Sequence, residues 1–92
     1  IDPRVAMDAK ARVTCGHGEF EADLCDISLG GARVMGTHHC KIGEAGTLKV
    51  YDVSVPVTVI GSEDGMVRLR VDESAVSQVE NLLRRRDQRM AA

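Results

Sequence analysis

The chain has 92 residues, enough for one small domain and not for two. Twelve Lys and Arg against fourteen Asp and Glu give a formal net charge of −2, which argues against a domain that grips nucleic acid by bulk positive charge. Phe20 and Tyr51 are the two aromatic residues, too few for a base-stacking platform, so the core must be aliphatic.

Residues 1–8 precede any clear alternation and read as an N-terminal arm carrying Arg4. From residue 9 to about 72 the pattern has period two, the mark of antiparallel strands with one face buried. Ala9, Ala11 and Val13 alternate with Lys10, Arg12 and Thr14, and Phe20, Ala22 and Leu24 alternate with Glu19, Glu21 and Asp23. Val53, Val55, Val57 and Val59 share one face, as do Val67, Leu69 and Val71. Glycine-bearing turns fall between the runs, at Gly16-His17-Gly18, Leu29-Gly30-Gly31, Gly43 to Gly46 and Glu63-Asp64-Gly65. Strands are therefore predicted near 9–15, 19–26, 31–35, 46–51, 53–61 and 65–72, a set that suits a small barrel or sandwich. Pro56 has no N–H for a ladder, so its strand is expected at an edge or with a bulge.

The spacing then changes. Ala75, Val76, Val79, Leu82, Leu83 and Met90 follow a helical period over 74–90, with Asp72 or Ser74 as cap. Arg84, Arg85, Arg86 and Arg89 sit where a helix C-terminus favours positive charge. The stripe is expected to dock on the barrel.

Cys15, Cys25 and Cys40 are an odd number without tight spacing, a poor disulfide framework, and read as free thiols in a reducing compartment. A sharper reading joins Cys15 and Cys40 to His17, His38 and His39 as a metal cage, but neither cluster has the spacing of known zinc modules. No metal or cofactor is expected. No apolar run approaches the roughly 18 residues of a membrane span, and no secretory signal opens the sequence. The start at Ile1 reads as a domain cut from a longer protein.

The most informative stretch is Asp26-Ile27-Ser28-Leu29-Gly30-Gly31, where alternation stops and a new strand, Ala32-Arg33-Val34, begins. Two glycines allow a tight bend and the close approach of a ligand or a second backbone. Asp26 and Ser28 are two apart and share a side in extended chain, so a carboxylate and a hydroxyl converge there. A carboxylate can accept two N–H groups, which the Watson–Crick edge of guanine offers. The alternative is a plain turn in which both side chains bond their own backbone.

This Asp-x-Ser-x-x-Gly turn, with the barrel pattern around it and the helix after it, resembles the signature of PilZ domains, bacterial receptors for cyclic di-GMP. The resemblance spans nearly the whole chain. It implies a six-stranded antiparallel β-barrel with a C-terminal helix, a regulatory rather than enzymatic role, and a cytoplasmic setting. The implied partners are cyclic di-GMP and a neighbouring domain or effector protein, with neither nucleic acid nor membrane insertion. By the same resemblance Asp26 and Ser28 contact guanine, while Gly30 and Gly31 shape the turn. Arg4 matches the second arginine of the family's Arg-x-x-x-Arg motif, whose first position falls ahead of Ile1. Arg33 is a further candidate, although its alternation with Ala32 and Val34 places it on the outer face as a solvated charge. A degenerate barrel that binds no nucleotide and works by protein contact is the other reading. Glu19, Glu21, Asp23 and Asp26 crowd together in sequence, but nothing points to paired catalytic acids.

Overall fold

The structure, a computed structural model, describes residues 5–16, 18–36 and 40–91, with side chains through residue 88. Six antiparallel strands form a closed barrel: β1 (Val5–Cys15), β2 (Gly18–Ile27), β3 (Gly31–Met35), β4 (Ala45–Val50), β5 (Val53–Glu63) and β6 (Met66–Val71). Around the barrel the order is β1-β2-β3-β6-β5-β4, and the pairing of β1 with β4 closes it. A short 3₁₀ turn, Glu73–Ala75, leads into helix α1 (Val76–Ala91).

Alternation explains the strands. Met7, Ala9, Ala11, Val13 and Cys15 of β1 point inward, as do Val53, Val55, Val57 and Val59 of β5. The outward positions between them carry Asp8, Lys10, Arg12 and Thr14 on β1, and Ser54 and Ile60 on β5. β1 begins at Val5, four residues ahead of the predicted strand, because the alternation runs back through Met7 and Val5. Residues 5–8 of the predicted arm therefore belong to the barrel strand, and the first four, Arg4 included, lie outside the described residues. The β5–β6 hairpin turns through Asp64 and Gly65, both at positive φ (52° and 80°), the conformation that Asp-Gly favours in a two-residue turn.

Pro56 neither lies at an edge nor needs a bulge at its own position. It stands opposite Thr47 in regular register with β4. Its backbone faces the other way, past the last β5–β6 pair, Val57 with Val71, and its carbonyl accepts the N–H of Asp72 (3.1 Å). The missing N–H therefore costs no ladder bond.

The cysteine reading is also corrected. Cys15 and Cys40 form a disulfide, with Cα atoms 6.0 Å apart across a sequence separation of 25, and Cys25 alone of the three is a free thiol. Spacing along the chain gave no sign of this, because the segment entering β4 reaches Cys15 only through the β1–β4 closure. His17, His38 and His39 lie outside the described residues.

Helix α1 packs against β5, burying Val79 and Leu82 completely and Leu83 partly, while Val76 is left exposed. Ala75 is buried just ahead of it. Arg85 pairs with Asp52 in the β4–β5 turn (3.1 Å). Asp72 caps the entry, its carboxylate accepting from the Ser74 N–H (2.9 Å) and hydroxyl (2.8 Å). No helix among the described residues is long and apolar enough to cross a membrane.

Two outcomes are expected. Leu82→Ala should lower the unfolding free energy by about 2–5 kcal/mol in urea titrations, since it leaves a cavity under the helix. The hydrogen bonds from Ser74 hold the Asp72 carboxyl below its ordinary pKa, so its contribution to stability is complete above the ordinary carboxylate range. It is lost as pH falls through the lowered folded value. Asp72→Ala should therefore melt below wild type at neutral pH, the two curves converging in strong acid.

Candidate functional site

The Asp26–Gly31 turn lies at one end of the barrel, where β2 hands over to β3. Its geometry depends on register. Leu24 pairs with Val34, but the next pair is Asp26 with Arg33, so β2 carries one extra residue at Cys25. Without that bulge Cys25 would face Arg33 and Asp26 would face Ala32. The bulge turns the Asp26 carboxylate toward the Arg33 side chain and sends Ile27 into the core, opposite Ala32. A second irregularity on the β1 side, between Ala6 and Ala9, keeps Ala6 opposite Asp26 and Val5 opposite Ile27. The chain just after Arg4 is thereby paired to the strand that enters the turn.

Asp26 is one of two buried polar residues among those described, 7% exposed, and Ser28 is the other. Arg33 donates through Nε to Asp26 Oδ2 (2.7 Å) and again through a terminal guanidinium nitrogen to the same oxygen. The Arg33 side chain remains 41% exposed, so the ion pair has one buried and one half-open partner. The hydrogen bond from Arg33 to Asp26 and the Asp26 charge raise the Arg33 pKa further above its already high ordinary value, so the guanidinium stays charged. Arg33 is thus not the free solvated charge that its outward alternation predicts.

Ser28 has a different task. Its N–H donates to the Gly31 carbonyl (2.7 Å), its Oγ accepts from the Gly31 N–H (3.2 Å), and its hydroxyl donates weakly to the same carbonyl (3.4 Å). Ser28 clamps the turn, as the plain-turn reading predicts. Gly31 is buried in the pairing with Arg70, and Gly30 is exposed, its carbonyl accepting the Val71 N–H (3.0 Å). Positive φ among the glycines occurs at Gly18, Gly43 and Gly65 rather than at Gly30 or Gly31. The two glycines in this turn are joined to β6 by pairing and a hydrogen bond, without left-handed backbone.

One link here has no signal in the sequence. The Gly30 carbonyl holds Val71, and the next residue, Asp72, caps the helix entry. The acidic turn and the helix start are therefore joined through a single backbone bond and one residue.

Arg12 contrasts with Arg33. It lies on the outer face of β1 between Glu19 (3.4 Å) and Glu21 (3.2 Å), all of them well exposed. These residues line an open cleft of about 790 Å³ across β2, β1, β4 and β5 that also holds Lys49 and Tyr51 and does not include Asp26.

The small closed barrel thus carries an internally paired acid in a surface turn, and that turn is bonded to the start of a docked helix. The chain belongs to the PilZ domain family, whose model matches residues 2–86. PilZ is a family of cyclic di-GMP receptors, regulatory rather than catalytic. Among solved structures the barrel is similar to the PilZ domain of CeSA from a cellulose-synthesizing bacterium, with a TM-score of 0.74 and 16% sequence identity, covering 87% of this chain and 93% of that one. A search of curated proteins gives no match.

Because Asp26 is buried and Arg12 stands among exposed acids, Arg33→Ala should lower the melting temperature by more than Arg12→Ala does. A double-mutant cycle between Asp26→Asn and Arg33→Ala should show clear coupling in thermal melts, and one between Arg12→Ala and Glu21→Gln should show almost none.

Proposed function

We propose that this domain senses cyclic di-GMP through the turn at Asp26–Gly31, with Asp26 meeting the guanine edge and Arg4 meeting phosphate or the guanine face. The observation that carries the reading is the buried Asp26 carboxylate, turned outward by a bulge and held in place by Arg33. A carboxylate held this way is preorganised to accept N–H groups. Arg33 belongs to the site as the group that orients Asp26 and balances its charge when no ligand is bound. Ser28, Gly30 and Gly31 set the shape of the turn, and the Ser28 hydroxyl, which now bonds Gly31, is the second ligand contact.

Arg4 enters by family resemblance and by sequence. It directly precedes Val5, which is paired with Ile27 beside Asp26. Arginine suits the task because its guanidinium is planar, forked and permanently charged. A ligand bridging Arg4 and Asp26 would reach Val71 and the helix entry through Gly30, a short path from binding to helix α1. This is the order-changing kind of switch, driven by the ligand's preference for one arrangement.

A second reading rests on the same side chains. Arg33 already engages Asp26, and Ser28 already bonds Gly31, so the turn satisfies its polar groups without a ligand. On that reading the barrel is a degenerate family member that works by protein contact.

Titration calorimetry with cyclic di-GMP separates the two. Sensing requires binding that GMP and the linear dinucleotide do not match. Asp26→Ala should weaken it by about 2–5 kcal/mol, since it truncates one partner of a charged hydrogen bond in a partly desolvated site. Arg4→Ala should weaken it more than Arg12→Ala, whose guanidinium is held between Glu19 and Glu21 on the outer face, and the Arg4 effect should shrink as salt rises. An absence of heat from a chain extended upstream to include the first arginine position would establish the second reading.

A further inference from the structure

The opposite end of the barrel carries a second cluster of reactive groups that cyclic di-GMP sensing does not use. Cys15 closes β1, Cys40 lies on the approach to β4, and Glu44 immediately precedes β4. One donor atom from each, two sulfurs and a carboxylate oxygen, lie within 4.8 Å of one another. Both cysteines are buried. Glu44 is fixed by its backbone, its N–H donating to the Lys41 carbonyl (3.0 Å) and its carbonyl accepting from the Val59 N–H (2.9 Å). Its Oε1 is cut off from solvent and has no hydrogen-bond partner among the described residues.

A solvent-shielded carboxylate oxygen with no protein donor among the described residues is costly beside a neutral disulfide. A cation would satisfy it. The sequence also makes room for the carboxylate: a Cβ on Gly16 would stand 2.8 Å from Glu44 Oε2. Two thiolates and a carboxylate suit zinc, which takes sulfur donors at about 2.3 Å and oxygen donors at about 2.0–2.2 Å in a tetrahedron. Two sulfurs on such an ion stand about 3.8 Å apart by that geometry, so the bonded sulfurs must separate on reduction before they can hold it.

We propose that Cys15, Cys40 and Glu44 form a redox-gated zinc site, occupied when the Cys15–Cys40 disulfide is reduced and closed to metal when it is formed. A dithiol reductant opens the site: the S–S bond takes up two electrons and two protons, giving two thiols, and the dithiol becomes its own disulfide. Zinc then binds both sulfurs and displaces their two protons to solvent, while the Glu44 carboxylate joins as the third ligand. The fourth tetrahedral position is left for water or another donor. Both occupants tie the end of β1 to the segment entering β4, so the barrel closure is held in oxidising and in zinc-replete reducing conditions alike. With the thiols reduced and metal-free, that tie is gone.

The test uses the whole domain and cobalt as a spectroscopic stand-in for zinc. Protein reduced with a dithiol, then freed of it without air, should take up one Co²⁺ per chain with thiolate-to-cobalt charge-transfer absorption, and zinc should bleach the signal. Oxidised protein should show no such band. Zinc should raise the melting temperature of the reduced protein and leave that of the oxidised protein unchanged. Glu44→Gln should weaken zinc binding by at least about 100-fold, judged against the 10–100-fold cost of losing even an outer partner of a metal ligand. Gly16→Ala replaces no ligand but crowds the flexible end of Glu44, so it should weaken binding while the domain stays folded. Cys25→Ser should bind as wild type. Equal uptake by oxidised protein, by the Cys15→Ser/Cys40→Ser double variant or by both Glu44→Gln and Gly16→Ala would overturn the proposal. So would a reduced, folded protein that gives no charge-transfer band.

Discussion

Closure of the barrel is the constraint on which the other features rest. β1 must pair with β2 on one side and β4 on the other, which leaves no free sheet edge and fixes every strand's register. The inward positions are filled by Val, Leu, Ala, Ile and Met rather than aromatics, so the barrel stays narrow and its interior is a packed core, not a cavity. Strand pairing brings together residues that are remote in sequence. It places Cys15 beside the approach to β4, and Val5 beside the strand that leads into the acidic turn.

Within that frame the bulges do the local aiming. A regular β2–β3 ladder would direct Asp26 at Ala32 in the core, where an ionised carboxylate has no place. The extra residue at Cys25 gives Asp26 a charged partner and gives the core Ile27 in its stead. One irregularity thus resolves the conflict between a buried acid and an aliphatic interior. It also leaves the acid near the surface, where a ligand can compete for it.

The two ends of the barrel then have different characters. One carries the Asp26–Arg33 pair, the Ser28 clamp and the helix entry, all joined by backbone bonds at Gly30 and Val71. The other carries the Cys15–Cys40 link and Glu44. The helix lies along β5, anchored by Val79 and Leu82 and tethered by Arg85 to Asp52, and it begins at the Asp26 end. The turn and the helix entry are therefore connected through backbone bonds that do not pass through the core.

The sequence by itself determined the strands, their order along the chain, the helix and the position of the acidic turn. Each follows from a local signal: period two, helical period, Asp-Gly and paired glycines. The family signature was legible for the same reason, since it occupies six consecutive residues. Only the tertiary structure decided what these residues touch. Alternation placed Arg33 outward, but it could not register the inserted residue that sets Arg33 opposite Asp26. The cysteine spacing pointed away from a disulfide, because 25 residues of intervening chain conceal a contact made by barrel closure. Pro56 looked like an edge or bulge residue because the sequence does not reveal where along β5 the pairing with β6 stops. In each case the missing information was register, and register is set by pairing between distant segments, not by the residues within one of them.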